Sequence, residues 1–90
     1  MANGFWFVYV LYSDGIPVYV GCSDNIPKRL TAHKRDKKFN GYRRIYGNTS
    51  KQNAMVYEKA IICFLTLHYP ELMYNKQKFQ VEFDKQIVGF

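Results

Sequence analysis

Acids, cysteines and long apolar runs are scarce in this sequence, and each shortage excludes something. The two cysteines, Cys22 and Cys63, stand in no CxxC or Cys/His spacing. That argues against a disulfide framework and against a zinc site. The longest apolar run, Ile61 to Leu67, is broken by Thr66, far short of the roughly 18 residues of a membrane span. Phe5 to Val10 has no positive region before it and is too short and too aromatic for a signal peptide. The expectation is a reduced, intracellular protein, cytoplasmic or nucleoid-associated, with no membrane partner. Ninety residues leave room for one domain, 1–90, with a thin core. At 48% apolar residues, the chain is too hydrophobic for a disordered basic tail.

Only seven acids oppose 13 Lys and Arg, giving a net charge of +6. The excess is segregated. Between Asn25 and Lys51 stand Lys28, Arg29, Lys34, Arg35, Lys37, Lys38, Arg43, Arg44 and Lys51, against Asp36 alone. That is nine cations and one acid, +8, which leaves −2 for the rest of the chain. Phe39, Tyr42 and Tyr46 are interleaved with these cations. Clustered positive charge with aromatics is the footprint of a protein that meets phosphate backbones. A solvated basic face without a partner explains charge alone equally well. An anionic membrane fits less, since no clean amphipathic helix with a Leu/Trp face accompanies the charge.

Phe5 to Tyr12 is aromatic and β-branched, the composition of a strand covered on both faces. Asp14-Gly15 is turn chemistry, and Ile16 to Gly21 reads as the returning strand of a hairpin. Ser23, Asp24 and Asn25 are helix caps, and Pro27 is tolerated in a first turn. Ile26, Leu30 and His33 then recur at helical spacing, predicting a helix to about Lys37. Asn40-Gly41 and Gly47-Asn48 bracket a basic, loop-like segment with room for a short turn or strand. Asn48-Thr49-Ser50 offers caps for a second helix, expected from about Gln52 to His68, apolar nearly all round and hence the buried centre of the domain. Phe79, Val81 and Phe83 alternate with polar residues, and Ile87-Val88 follow, predicting a C-terminal strand. The class is α+β: an N-terminal hairpin and a third strand in one small sheet, packed by helices.

Several polar residues stand out against this background. Glu58 is the only acid in the apolar helix, and a buried carboxylate costs several kcal/mol unless paired or bound to a cation. Arg29 and His33, four apart, share a helix face. Tyr9 and Tyr19 lie on adjacent hairpin strands. Each has a bland alternative: an exposed helix stripe for Glu58, a solvated basic face for Arg29 and His33, plain strand propensity for the tyrosines.

Their joint order resembles the GIY-YIG nucleases. That family opens with a hairpin bearing one tyrosine per strand, the second followed by a hydrophobic residue and glycine. Val8-Tyr9-Val10 and Tyr19-Val20-Gly21 look like this pair. Arg29 stands ten residues after Tyr19, and His33 four further, in the family's helical positions. Glu58, within Val56-Tyr57-Glu58-Lys59-Ala60, and Asn75, closing Pro70 to Asn75, look like its glutamate and asparagine. The first motif is Val-Tyr-Val instead of Gly-Ile-Tyr, and Cys22 replaces a frequent lysine. The family's third strand precedes the glutamate helix, whereas the clearest third strand in this sequence is C-terminal.

The resemblance implies a metal-dependent DNA endonuclease. Tyr9, Tyr19, Arg29, His33, Glu58 and Asn75 would be its catalytic residues. Glu58 would hold Mg²⁺ or Mn²⁺, since a hard cation keeps its waters and needs only one or two carboxylates. Tyr19 would take the proton of the attacking water, Arg29 would grip phosphate oxygens, His33 would orient, and Asn75 would position. Lys28, Lys34, Arg35, Lys37, Lys38, Arg43 and Arg44 would bind DNA. With so little chain outside the catalytic domain, the expectation is that specificity is either low or supplied by a partner, a second copy in a homodimer or a targeting protein. A catalytically silent nucleic-acid-binding module and a protein-docking domain are the rival readings.

Overall fold

The computed structural model describes residues 4–70 and Tyr74. Strand β1 (Trp6–Ser13) and strand β2 (Ile16–Ser23) form the hairpin, with helix α1 (Ile26–His33), strand β3 (Gly41–Asn48) and helix α2 (Lys51–His68) following. The sheet is antiparallel in the order β2-β1-β3. Asp14 and Gly15 both take positive φ, 50° and 81°, as a two-residue hairpin turn matched to strand twist requires.

With β1 in the middle, both its faces are covered. Val8, Val10 and Val20 pack with Ala54 of α2 on one side. Tyr9, Leu11 and Val18 pack with Ile26 of α1 on the other. The uninterrupted apolar run of β1 is thus the signature of a central strand.

Two expectations are corrected here, and a third falls outside the described residues. The basic segment expected to be loop-like is β3, paired with β1 along its length from Gly41 opposite Tyr12 to Asn48 opposite Trp6. Its cations hid it: Tyr42, Arg43 and Arg44 are exposed, and only Ile45 and Tyr46 pack against the core. The C-terminal strand expected over Phe79 to Val88 lies outside the described residues. Helix α1 stops at His33 rather than near Lys37, with the Lys37 N–H on the His33 carbonyl. Lys34 to Lys38 offers no apolar side chain to hold a further turn on the sheet.

Helix α2 is also not the buried centre. Ala54 and Thr66 are its only buried residues, while Val56, Phe64 and Leu67 are exposed. Tyr57, Ile61, Ile62 and Leu65 pack partly against the sheet. An all-round apolar pattern does not say which side a sheet will cover. The helix is anchored at its start: Ser50 caps the Asn53 N–H at 3.2 Å and Asn48 accepts from the Ser50 N–H at 2.8 Å. The Tyr57 ring stacks on Tyr46 of β3 at 4.1 Å and 7°. That contact fixes the rotation of α2 next to Glu58.

Candidate active site

Tyr9 projects toward α1, fully buried. Its hydroxyl meets His33 Nε2 at 2.7 Å. Burial pushes the Tyr9 phenol up to about 12, although hydrogen bonding from Arg29 pulls it down. Burial also lowers His33, helped by the Lys37 and Arg29 charges and opposed by Asp36. A phenol that keeps its proton beside a neutral imidazole makes Tyr9 the donor and Nε2 the acceptor. The same hydroxyl accepts from Arg29, whose own pKa is raised chiefly by that bond.

Tyr19, half-buried on β2, lies against both partners. Its ring is 4.7 Å from that of His33 and 6.4 Å from that of Tyr9. Burial raises its phenol too, Arg29 lowers it, and the Glu58 charge raises it. Lys37 Nζ sits 4.8 Å over the Tyr19 ring and 5.8 Å from the Tyr74 ring, and pairs with Asp36 at 3.3 Å. Its charge is therefore already engaged. Gly21 makes this crowding feasible: a Cβ there would run into the Tyr9 ring and hydroxyl, and would lie 2.9 Å from Tyr19 Cε2. Small size, not backbone freedom, selects glycine at this position.

Arg29 leads from this cluster into a cleft of about 340 Å³ at the end of β2, which Glu58 enters from α2. Trp6, Cys22, Asp24, Lys51 and Met55 complete its walls. Trp6 and Lys51 were not singled out by sequence reasoning, although Lys51 and Glu58 are seven apart and so share a helix face. The Lys51 ammonium rests 4.8 Å over the Trp6 ring.

Of the expected catalytic residues, Tyr9, Tyr19, Arg29 and His33 come together, and Glu58 shares the cleft with Arg29. Asn75 lies outside the described residues. The expected DNA-binding cations do not form one face. Lys28, Lys34, Arg35 and Lys38 are exposed on and after α1. Arg44 pairs with Tyr9 and Arg43 with Val10, so these neighbours project from opposite faces of the sheet.

No group of three or more His, Cys, Asp or Glu residues able to hold a metal occurs among the described residues. One half-buried carboxylate, Glu58, with the exposed Asp24 also lining the open cleft, suits a hard, water-retaining divalent cation and not a dedicated protein cage. Burial, with Glu58 nearby, raises the Cys22 thiol, and Lys51 opposes the shift. The donor set thus fits Mg²⁺ or Mn²⁺ on Glu58. No helix among the described residues is long and apolar enough to cross a membrane.

Comparison with curated proteins and with solved structures gives no match. The family model of the GIY-YIG catalytic domain matches residues 5–78, a span holding the paired tyrosines, Arg29, His33 and Glu58. By that match over most of its length, the chain belongs to the GIY-YIG family of nuclease domains.

Proposed function

We propose that the protein is a metal-dependent DNA endonuclease that hydrolyses phosphodiester bonds. The convergence of Tyr9, Tyr19, Arg29 and His33 beside the cleft entered by Glu58 carries this reading. A protein that only binds DNA has no use for a buried phenol–imidazole pair beneath an exposed guanidinium that shares a cleft with the Glu58 carboxylate. Hydrolysis needs a water to lose its proton, a phosphate to be neutralised and a leaving oxygen to be stabilised.

Tyr19 is the base. It is half-buried and feels the charges of both Arg29 and Glu58, the two residues that meet in the cleft, whereas Tyr9 is sealed and spends its proton on His33. Arg29 presents a planar fork of donors to the non-bridging phosphate oxygens, and its charge favours the Tyr19 phenolate. Tyr9 and His33 hold Arg29 and the Tyr19 ring in place. Glu58 holds the divalent ion. When bound, such an ion neutralises phosphate charge, acidifies a bound water and offsets the push of Glu58 on Tyr19. Asn75 is assigned a positioning role on its motif alone.

Nicking of supercoiled DNA under chelator, Mg²⁺ and Mn²⁺ tests this reading. Nicking that appears with divalent ion and disappears with chelator is expected. DNA binding without nicking under any ion would leave a silent binding module instead.

A further inference from the structure

Next to the cleft lies a wider hollow of about 720 Å³ on the α1 side of the sheet. Phe7, Tyr42 and Arg44 line it from the strands, and Asp24 to Pro27 from the start of α1. Asp24 lines the cleft as well, so the two spaces meet there. Arg44 pairs with Tyr9 and Tyr42 with Leu11, which puts both side chains on this face. The Arg44 guanidinium lies 4.9 Å from the Phe7 ring centroid, and Phe7 itself stacks on Phe5 at 6.0 Å and 11°. The Tyr42 ring is 51% exposed.

This hollow is not built for a phosphate. An anion site at a helix start needs several free N–H groups, and here all but that of Ile26 are spent or missing. Pro27 has none, Asn25 N–H bonds Ser23, Lys28 N–H bonds the Asn25 side chain, and Arg29 N–H bonds the Asn25 carbonyl. The Asp24 carboxylate at the edge would repel an anion. Flat groups with one exposed carboxylate suit a different guest, a planar ring with amino hydrogens. Guanidinium planes and phenol rings are surfaces on which bases stack, and carboxylates accept from base amino groups.

We propose that the hollow receives an unpaired nucleobase of the DNA strand whose phosphate lies in the adjoining cleft. The base stacks on Arg44 and Tyr42. This rests on the endonuclease reading and deepens it. A base inside a duplex has both faces occupied, so the substrate class is DNA with unpaired nucleotides beside the cut: a single strand, a flap or a bulge.

The test compares two duplexes with equal single-stranded tails, one carrying adenines and the other abasic units on the same phosphates. Binding is measured in chelator. The wild type should prefer the adenine tail about tenfold. Arg44→Lys, which keeps the charge and loses the plane, and Tyr42→Ala should each cut that preference to about twofold, the adenine tail losing more affinity than the abasic one. Equal wild-type affinity for the two tails overturns the proposal. So does an equal loss on both tails in the variants, as for a phosphate contact. Tyr42→Phe, which keeps the ring, should retain the preference even if Tyr42→Ala fails to fold. Nicking in Mg²⁺ is scored separately. Base preference without nicking would count against the endonuclease reading alone, and nicking without base preference against the hollow alone.

Discussion

On one face of the sheet α1 covers a core that includes a buried phenol and a buried imidazole joined by a 2.7 Å hydrogen bond. On the other, α2 covers a buried cluster of Val8, Val10, Val20 and Ala54 with no polar group in it. The first face is held by directed bonds and close sterics: Tyr9 to His33, Arg29 to Tyr9, and Gly21 making room. The second is held by apolar packing and the Tyr46–Tyr57 stack. Glu58 therefore reaches the cleft from a different layer than the tyrosines and Arg29. A site assembled from two independently supported halves can be broken one half at a time, which makes the assignment of roles accessible.

Among the residues on the α1 face, the largest effect should come from the half-buried phenol. Tyr19→Phe should cut the nicking rate by about 10³-fold, within the range of a lost general base, with the melting temperature little changed. A loss below tenfold would remove Tyr19 from that role.

Gly21→Ala comes next, through structure. Its methyl would displace Tyr9 from His33, and overpacking of this kind costs about 1–3 kcal/mol. Each kcal/mol should lower the melting temperature by about 4–8 °C in a domain of this size. An unchanged melting temperature would show that the tyrosine side is looser than described.

Tyr9→Phe leaves buried His33 Nε2 without its donor, at a cost of about 1–3 kcal/mol. Its rate loss should be clearly smaller than that of Tyr19→Phe. Equal losses would give the two phenols the same job.

The pH dependence follows from the same burial. His33 is held below its ordinary 6.5, so the unfolded chain takes up a proton before the native one does. Stability present above about 6.5 is lost as pH falls through that value toward the lowered native pKa. Tyr9 works at the other end: raised from 10.0 to about 12, it contributes stability below pH 10 that is lost as pH climbs toward 12. Chemical denaturation from pH 4 to 8 checks the acid arm. His33→Gln should flatten it, and an unchanged slope would contradict a neutral buried imidazole.

The smallest effect belongs to the far side of α2. Leu67→Gln, at a residue 77% exposed, should change stability by less than about 0.5 kcal/mol and leave nicking intact. A large loss would mean that this side is covered in the working protein.

Local chemistry made the hairpin and both helix starts readable in the sequence. Asp14-Gly15, Asn25 and Ser50 act where their residue types predict. Tyr9, Tyr19, Arg29 and His33 were readable because a strand pair and a single helix fix their relations over short distances. β3 was not, because its apolar residues are few and its partner is the distant β1. Nor was the separation of Arg43 from Arg44 onto opposite faces, since charge in sequence carries no facing until the strand is recognised. The covered side of α2, and with it the place of Lys51 in the cleft, depended on a packing choice that an all-apolar pattern leaves open.

The central claim is that Glu58, delivered by α2, completes a site whose other half stands without it. Nicking of supercoiled DNA by Glu58→Gln beside wild type in Mg²⁺, at protein concentrations giving equal DNA occupancy, tests it directly. The account predicts a loss of about 10³-fold or more, the several kcal/mol that a bound divalent ion supplies, with DNA binding and melting temperature retained. Nicking at the wild-type rate by Glu58→Gln would contradict it.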